Sequence, residues 1–236
     1  MKIENFMKFF YELFMIGSAY VVGGYFRDFL LNKSSRDVDI ITDITQDQLF
    51  SLVINSKVNF KLNRYGGIKI LLTQIEIDIW TIDNNWAFKN NLVKLNENDV
   101  LNSIAKGCFY NFDALAINLH TFNYNIRYFS ESLNKKELNI LQENSVYKNL
   151  NPSIEANVLR AIYLNKIYNL KYTINTSSYL LAKIGLIADE FSNPIERILF
   201  VCEQYPKYSI INENDILNLF FRLLEGQNSK QLKFDL

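Results

Sequence analysis

The sequence is poor in the residues that build disulfide frameworks, linkers and membrane spans. Its two cysteines, Cys108 and Cys202, lie far apart among 236 residues without the spacing of a metal site, which favours a reducing compartment. The three prolines and eight glycines form no linker, and no repeat or low-complexity tract is present. No apolar run is long enough to cross a bilayer. We therefore expect a cytoplasmic, globular protein without membrane contacts.

An excess of one charge is also missing. The 25 basic residues balance the 25 acidic ones, and residues 151–236 contain nine of each, so neither half is basic. Binding to a long nucleic acid normally needs a basic face. Composition supplies no such face, and only a local stripe of lysine and arginine would provide one.

Short strands and helices alternate in the first half of the sequence. Apolar residues at helical spacing predict an amphipathic opening helix over Met1–Met15, which Glu4 and Glu12 distinguish from a signal peptide. Helices are also predicted over Tyr25–Leu31 and Gln46–Ile54. Alternating, β-branched segments predict the strands Ala19–Val22 and Asp37–Thr42, a hairpin of Gly67–Leu72 and Ile75–Ile82 linked by Thr73 and Gln74, and a hairpin of Ala114–His120 and Ile126–Phe129.

The second half carries helical periodicity alone. Helices are predicted over Ile154–Leu170, Ser177–Phe191, Pro194 to about Tyr205, and Asp215–Leu224, the last stopped by Gly226. Asn193, Pro194 and Glu196 form a typical helix start. The change from strands to helices predicts two domains, 1–140 and 141–236. The fold class is α+β: a small mixed sheet with helices on one face, followed by an all-α domain.

A glycine pair between a strand and a helix is the first chemical feature. Gly23 and Gly24 follow the apolar strand Ala19–Val22 and precede the helix predicted over Tyr25–Leu31. Two glycines let the backbone approach a phosphate closely, and the free amides and positive dipole end of the following helix attract an anion. The pattern predicts a phosphate-binding turn, although a bare glycine pair also serves as an ordinary turn.

Paired carboxylates are the second feature. Asp37 and Asp39 lie two apart on a strand, so both face one side, and they repel each other unless a cation lies between them. Glu76 and Asp78 share a face of the strand Ile75–Ile82 in the same way. If the two strands are neighbours, Asp78 completes a three-carboxylate cluster able to hold two Mg²⁺ ions about 3.5–4 Å apart. Glu76 as the third ligand, or a merely solvated acidic face, are the alternatives.

These motifs, in this order, resemble the DNA polymerase β-type nucleotidyltransferase superfamily. The segment Val21–Leu31 resembles the head of class II tRNA nucleotidyltransferases and bacterial poly(A) polymerases, which typically reads Val-Gly-Gly-x-Val-Arg-Asp-x-Leu-Leu. Weaker resemblances are those of Arg64–Ile68 to the family's Arg-Phe-Gly-Thr, Phe112–Ala116 to Ile-Asn-Ala-Leu-Ala, and Val158–Ala161 to Ile-Leu-Arg-Ala. The resemblance covers about residues 18–170 and identifies a nucleotidyltransferase head, 1–140, and an all-α helical neck, 141–236.

The resemblance implies transfer of an NMP from an NTP to a hydroxyl, with release of pyrophosphate and with two Mg²⁺ ions as cofactors. The implied acceptor is an RNA 3′ end, such as that of a tRNA. The implied catalytic metal ligands are Asp37, Asp39 and Asp78. The implied nucleotide-binding residues are Gly23, Gly24, Arg27 and Arg160.

The sequence departs from the family where ribose and base are selected. Gly107, Cys108 and Phe109 stand where the family has Arg-Arg-Asp, whose Asp helps to recognise the ribose. The neck motif Glu-Asp-x-x-Arg, whose Asp and Arg form a template for the incoming base, is replaced at Ser153, Ile154 and Asn157, and only the following Arg160 is kept. We therefore expect no faithful addition of CCA to tRNA.

Two other functions remain compatible with the sequence. The neutral charge and the short second half favour nucleotidylation of a protein or small molecule. A catalytically silent nucleotide- or partner-binding module is the other, and the retained carboxylates argue against it.

Some side chains have a simpler structural interpretation. Arg27 either contacts phosphate or forms a structural pair with Asp28. Arg36 is interpreted as a surface neighbour, His120 as a structural residue within a strand, and Cys108 as buried.

Overall fold

The computed structural model describes residues 3–35, 37–63, 66–72, 75–142 and 153–231. The chain divides into two compact units, Met1–Leu133 and Asn134–Leu236, and the sequence-based division into domains at residue 140 stays a prediction. Arg36, the link Thr73–Gln74 and the first two residues of the Arg64–Ile68 segment lie outside the described residues. No helix within the described ranges has both the length and the apolar composition of a membrane span.

A mixed seven-stranded sheet forms the centre of the first unit, in the order β3-β4-β5-β2-β1-β6-β7. The pair β2 and β5 is parallel, whereas the other neighbouring strands are antiparallel. The mixed α and β architecture predicted from the sequence is confirmed. The strands are β1 Ala19–Val22, β2 Asp37–Thr42, β3 Phe60–Leu62, β4 Ile68–Leu71, β5 Glu76–Thr81, β6 Ala116–Asn118 and β7 Tyr124–Asn125.

The first three helices of this unit agree with the predicted ranges to within about two residues, whereas the later helices were not predicted from the sequence. They are α1 Ile3–Ile16, α2 Gly24–Leu30, α3 Gln46–Asn55, α4 Trp86–Lys89, α5 Val100–Lys106 and α6 Arg127–Lys135, with a 3₁₀ turn at Asn111–Asp113. The start of α3 is fixed by a capping box, in which Thr45 and Gln48 exchange side-chain and backbone hydrogen bonds.

Alternation along the strands gives the sheet two different faces. On one face, apolar side chains of β2, β4 and β5 pack with α1 and α3 into a single core, whose members include Val38, Ile40, Ile68, Ile70, Ile77, Ile79, Phe9, Leu13, Leu49 and Val53. On the other face, Tyr20, Val22 and Ile41 pack with Ile104 and Ala105 of α5. The expectation of helices on one face was therefore wrong, because the second face turns apolar beyond Asp39 and needs cover there.

Within residues 134–142 and 153–231, the second unit is helical apart from one pair of two-residue strands. Its helices are α7 Ile154–Tyr168, α8 Ile174–Glu190, α9 Pro194–Glu203 and α10 Glu213–Gln231, with a 3₁₀ turn at Pro206–Tyr208. The strands β8 Glu137–Leu138 and β9 Lys171–Tyr172 pair in parallel. As predicted, Asn193 caps α9, accepting hydrogen bonds from the backbone N–H groups of Ile195 and Glu196.

Two predicted boundaries were wrong. The run Ile126–Phe129 is not a strand: β7 ends at Asn125, whose side chain accepts the N–H of Arg127 and so begins α6. The last helix does not stop at Gly226 but continues to Gln231, because an interior glycine costs a helix only about 1 kcal/mol.

Candidate active site

The glycine pair forms the turn between β1 and α2. Gly23 has a φ of +74°, a backbone conformation that favours glycine, and a Cβ built on it would lie 3.8 Å from Oδ2 of Asp39. A Cβ on Gly24 would lie 3.2 Å from Nη2 of Arg27. Gly23 therefore adopts a backbone conformation that other residues rarely adopt, close to the Asp39 carboxylate. The absence of a side chain at Gly24 leaves space for the guanidinium group of Arg27.

The acidic residues lie side by side on two neighbouring strands. In the parallel pairing of β2 with β5, Asp37 is opposite Glu76 and Asp39 is opposite Asp78. All four alternate with buried apolar residues, so their side chains share the face opposite the core of α1 and α3. The two strands are therefore neighbours, as the three-carboxylate cluster requires, and four carboxylates lie on one surface.

Lys69 is a member of this surface that the sequence reasoning missed. It lies on β4 opposite Asp78, and its Nζ is 2.7 Å from Oε2 of Glu76 and 3.3 Å from Oδ2 of Asp78. The two carboxylates outweigh the effect of burial and raise the pKa of the Lys69 amine. The alternation of Ile68, Lys69 and Ile70 indicates that this lysine lies on the polar face of its hairpin. The sequence alone did not give the hairpin register, which sets Lys69 opposite Asp78.

The carboxyl of Asp78 has a raised pKa. Burial raises its pKa, Lys69 lowers it, and the nearby charges of Asp37 and Glu76 raise it further. Its Oδ2 faces Lys69, whereas its Oδ1 is buried and has no hydrogen-bond partner. A buried acceptor oxygen without a hydrogen bond costs free energy, and a bound cation or a hydrogen-bond donor removes that cost.

The donor set fits magnesium in its chemistry, because carboxylate oxygens are the ligands that Mg²⁺ prefers. The Oδ1 of Asp78 is an acceptor atom that has no hydrogen-bond partner. Across the described part of the chain, however, no three carboxyl, thiol or imidazole groups converge as a ready-made metal site. Asp37, Asp39 and Asp78 share a surface without enclosing one point.

Arg27 is held inside the first unit by two carboxylates. Its Nε donates to Oδ1 of Asp28 at 2.8 Å, and its Nη1 forms an ion pair with Asp113. The relative exposures are 5% for Arg27, 8% for Asp28 and 2% for Asp113. The structural pair weighed in the sequence is therefore present, with a second partner, Asp113, that the sequence did not reveal; phosphate binding by Arg27 stays a prediction.

Other sequence-predicted residues have more varied surroundings. Phe109 stacks on Trp86 with ring centroids 4.4 Å apart. Cys108, which follows the C-cap Gly107 of α5, is half-buried and not buried as expected. His120 is not in a strand: β6 ends at Asn118, and His120 lies exposed in the next turn, 5.5 Å from the Phe14 ring.

The residues at the neck positions lie within the second unit. The side chain of Ser153 caps α7 by accepting the N–H of Ala156. Asn157 is 2% exposed and donates from Nδ2 to the buried hydroxyl of Tyr179 at 2.8 Å. Arg160 is half-buried on the same helix, and its role in nucleotide binding stays a prediction.

Comparison with known proteins finds a family match within the first unit. Residues 19–107 match the family model of the poly A polymerase head domain. The match confirms the resemblance inferred from the motifs, and the matched segment contains the glycine turn, the four carboxylates and Lys69. No curated protein matches the chain in sequence.

Solved structures with the same fold include tRNA-processing enzymes. A tRNA nucleotidyltransferase complexed with a primer tRNA and an incoming ATP analog is 19% identical, with a TM-score of 0.63, and covers 92% of this chain. The Thermotoga maritima CCA-adding enzyme complexed with tRNA is 17% identical, with a TM-score of 0.63 and 94% coverage. At such identities the likeness establishes the fold alone.

The chain is shorter than these enzymes. It spans 60% of the length of the first and 50% of the length of the second.

Proposed function

We propose that the protein is a magnesium-dependent nucleotidyltransferase that transfers an NMP from an NTP to a hydroxyl, with an RNA 3′ end as the acceptor. The observation that carries the proposal is the register of β2 and β5, which sets Asp39 beside Asp78, next to the glycine turn of Gly23. The match of residues 19–107 to a poly A polymerase head domain supports the same chemistry.

Three of the four carboxylates on the acidic face, which is formed by Asp37, Asp39, Glu76 and Asp78, have a role in this proposal. Asp37, Asp39 and Asp78 would hold the Mg²⁺ ions. Magnesium bound there would lower the pKa of the attacking hydroxyl and neutralise the leaving pyrophosphate. Gly23 and Gly24, which carry no side chain, would let the triphosphate lie against the backbone.

The transfer itself is an in-line displacement. The acceptor oxygen forms a bond to the α-phosphorus as the bond to the β-phosphate oxygen breaks, and the hydroxyl proton leaves to water. The carboxylates of the sheet orient the reacting groups and do not form a covalent bond with the substrate.

An RNA acceptor is supported by the related structures, which include complexes with tRNA and with an ATP analog. Faithful CCA addition is not proposed. Ile154 has no side-chain hydrogen-bonding group, and Asn157 already donates to Tyr179. Discrimination between bases by bidentate contacts is worth about 1–3 kcal/mol, so the loss of these groups removes the family's template.

The test is a transfer assay with all four labelled NTPs, Mg²⁺ and an RNA pool that includes tRNA without its CCA end, followed by sequencing of the 3′ ends. We expect extension with one preferred NTP or with several, and no terminating CCA. Asp39→Ala is the inactive control. Absence of transfer in every RNA arm contradicts the proposal, and faithful CCA addition would mean that other residues rebuild the base template.

A further inference from the structure

Lys69 occupies a position from which it distinguishes the two acids of β5. It lies across from Asp78 in the antiparallel pairing of β4 with β5. Its Nζ donates to Oε2 of Glu76 at 2.7 Å and lies 3.3 Å from Oδ2 of Asp78. The shorter contact goes to the more exposed acid, since the Glu76 side chain is 43% exposed and that of Asp78 is 15% exposed.

Glu76 and Asp78 differ in which of their carboxylate oxygens contact Lys69. Glu76 is the closer partner of the ammonium group. Asp78 offers Oδ2 to the same group and keeps a buried Oδ1 that accepts no hydrogen bond. Oδ1 of Asp78 is therefore an acceptor that is already desolvated, and it belongs to a residue that pairs with Asp39 in the sheet.

We propose that Lys69 is a positioning residue that selects Asp78 over Glu76 as the third cation ligand, by neutralising Glu76 and by holding Asp78 through Oδ2. The inference rests on the proposed function, because it takes the acidic face as a cation site. Partners that orient a metal ligand without binding the metal typically change its affinity 10–100-fold.

An ordinary ion pair between strands would behave differently. It would stabilise the sheet slightly. The positions of Glu76 and Asp78 along β5, and not Lys69, would then decide which acid binds the cation. The substitutions Asp78→Asn and Glu76→Gln remove the same single negative charge, so a difference between them reports ligand choice and not net charge.

The experiment is a titration with Mn²⁺ alone, followed by electron paramagnetic resonance of the free ion, without nucleotide or acceptor. Asp78→Asn and Glu76→Gln are measured with Lys69 intact, with Lys69→Met and with Lys69→Arg, and a thermal melt checks that each protein is folded. Asp39→Ala, which should abolish binding, shows that the titrated site is the acidic face.

With Lys69 intact, we expect Asp78→Asn to weaken Mn²⁺ binding at least about tenfold more than Glu76→Gln does. With Lys69→Met, the two substitutions should differ by less than about threefold, since Glu76 is then free to bind the ion. Lys69→Arg keeps the charge and should restore the preference.

Two results overturn the inference: a preference for Asp78 that persists in Lys69→Met, or no preference with Lys69 intact. Absence of any Mn²⁺ binding sensitive to Asp39→Ala overturns it together with the proposed metal site. The inference stands and the proposed function fails if the preference collapses as expected but no NTP is ever transferred.

Discussion

The two units of the chain treat their family-related positions in opposite ways. In the first, Asp37, Asp39 and Asp78 lie half-buried on a shared face, and Oδ1 of Asp78 accepts no hydrogen bond. In the second, Ser153 caps α7 and Asn157 is engaged with Tyr179. In the first unit a carboxylate oxygen of the shared face accepts no hydrogen bond, whereas in the second unit the Ser153 hydroxyl and the amide Nδ2 of Asn157 hold neighbouring groups of the same unit.

This difference teaches that a motif position acquires its role from what its neighbours leave available. A carboxylate whose oxygens are all engaged inside the protein binds nothing, and the N–H group that Asn157 donates to the Tyr179 hydroxyl is not offered to a base. In our proposal the first unit therefore carries the chemistry.

The largest expected effect is the loss of transfer when Asp39 of the first unit is replaced. Asp39→Ala should lower the transfer rate at least about 1000-fold while the melting temperature stays near that of the wild type, because the side chain serves the reaction and is not part of the core. Rates and thermal melts measure both. Asp47→Ala, an exposed aspartate of α3, is the matched control; a fully active Asp39→Ala protein would refute the metal site.

The next effect separates binding from chemistry at Asp78. Asp78→Asn should abolish transfer yet leave binding of the NTP–Mg²⁺ complex largely unchanged, since the glycine turn and the other two acids hold the triphosphate. Glu76→Gln, on the same strand, should keep most of the activity. Transfer rates and fluorescent-NTP binding distinguish the two, and the reverse pattern would make Glu76 the third ligand.

The buried ion cluster of the head predicts a stability effect. Asp113→Ala removes one of the two carboxylates that contact the buried guanidinium of Arg27, and loss of one partner of a buried pair costs about 3–5 kcal/mol. Asp113→Asn, which keeps an acceptor oxygen, should cost less. Urea unfolding measures both, and a cost below about 1 kcal/mol for Asp113→Ala would show that Arg27 finds another partner.

A smaller effect is expected in the helical unit. Asn157→Ala removes the hydrogen bond to the Tyr179 hydroxyl and should lower the free energy of unfolding by about 1–2 kcal/mol without changing nucleotide preference. Tyr179→Phe is the matched partner, and the double variant should lose less than the sum of the two. A changed nucleotide preference in Asn157→Ala would place this residue at the base after all.

The smallest effect concerns pH. Burial raises the pKa of Asp78, so the folded protein holds this proton more tightly than the unfolded chain does. Below the unfolded pKa the carboxyl is neutral in both states; as the pH rises through the unfolded and then the folded pKa, its ionisation lowers the stability. Without metal, Asp78→Asn should therefore gain stability relative to the wild type as the pH rises, measured by urea unfolding between about pH 4 and pH 7.

Local pattern was enough to predict much of the fold and part of the site. The strand Asp37–Thr42 is confirmed at its predicted ends, and the face shared by Asp37 and Asp39 results from the two-residue repeat of a strand. The three-carboxylate cluster was predicted on the condition that β5 lies beside β2, and the pairing meets this condition.

The rest depended on contacts distant in sequence. Lys69 reaches Glu76 and Asp78 only through the hairpin register, and Asp113 reaches Arg27 across 86 positions. Neither contact leaves a periodic signal. The strand predicted at Ile126–Phe129 was wrong because of a local contact. The N–H of Arg127 donates to the Asn125 side chain, and this hydrogen bond starts a helix in spite of the strand propensity of the aromatic run.

The parallel pairing of β2 with β5 also bears on how the chain folds. The two strands are separated along the chain by α3, β3 and β4, so a long loop closes before they meet, and such pairings form slowly. Their meeting sets Asp39 against Asp78 and Asp37 against Glu76, and opposed like charges resist it. The β4–β5 hairpin closes locally and brings Lys69 with it. We expect the acidic face to assemble last during refolding, faster at higher ionic strength, where salt screens the converging charges.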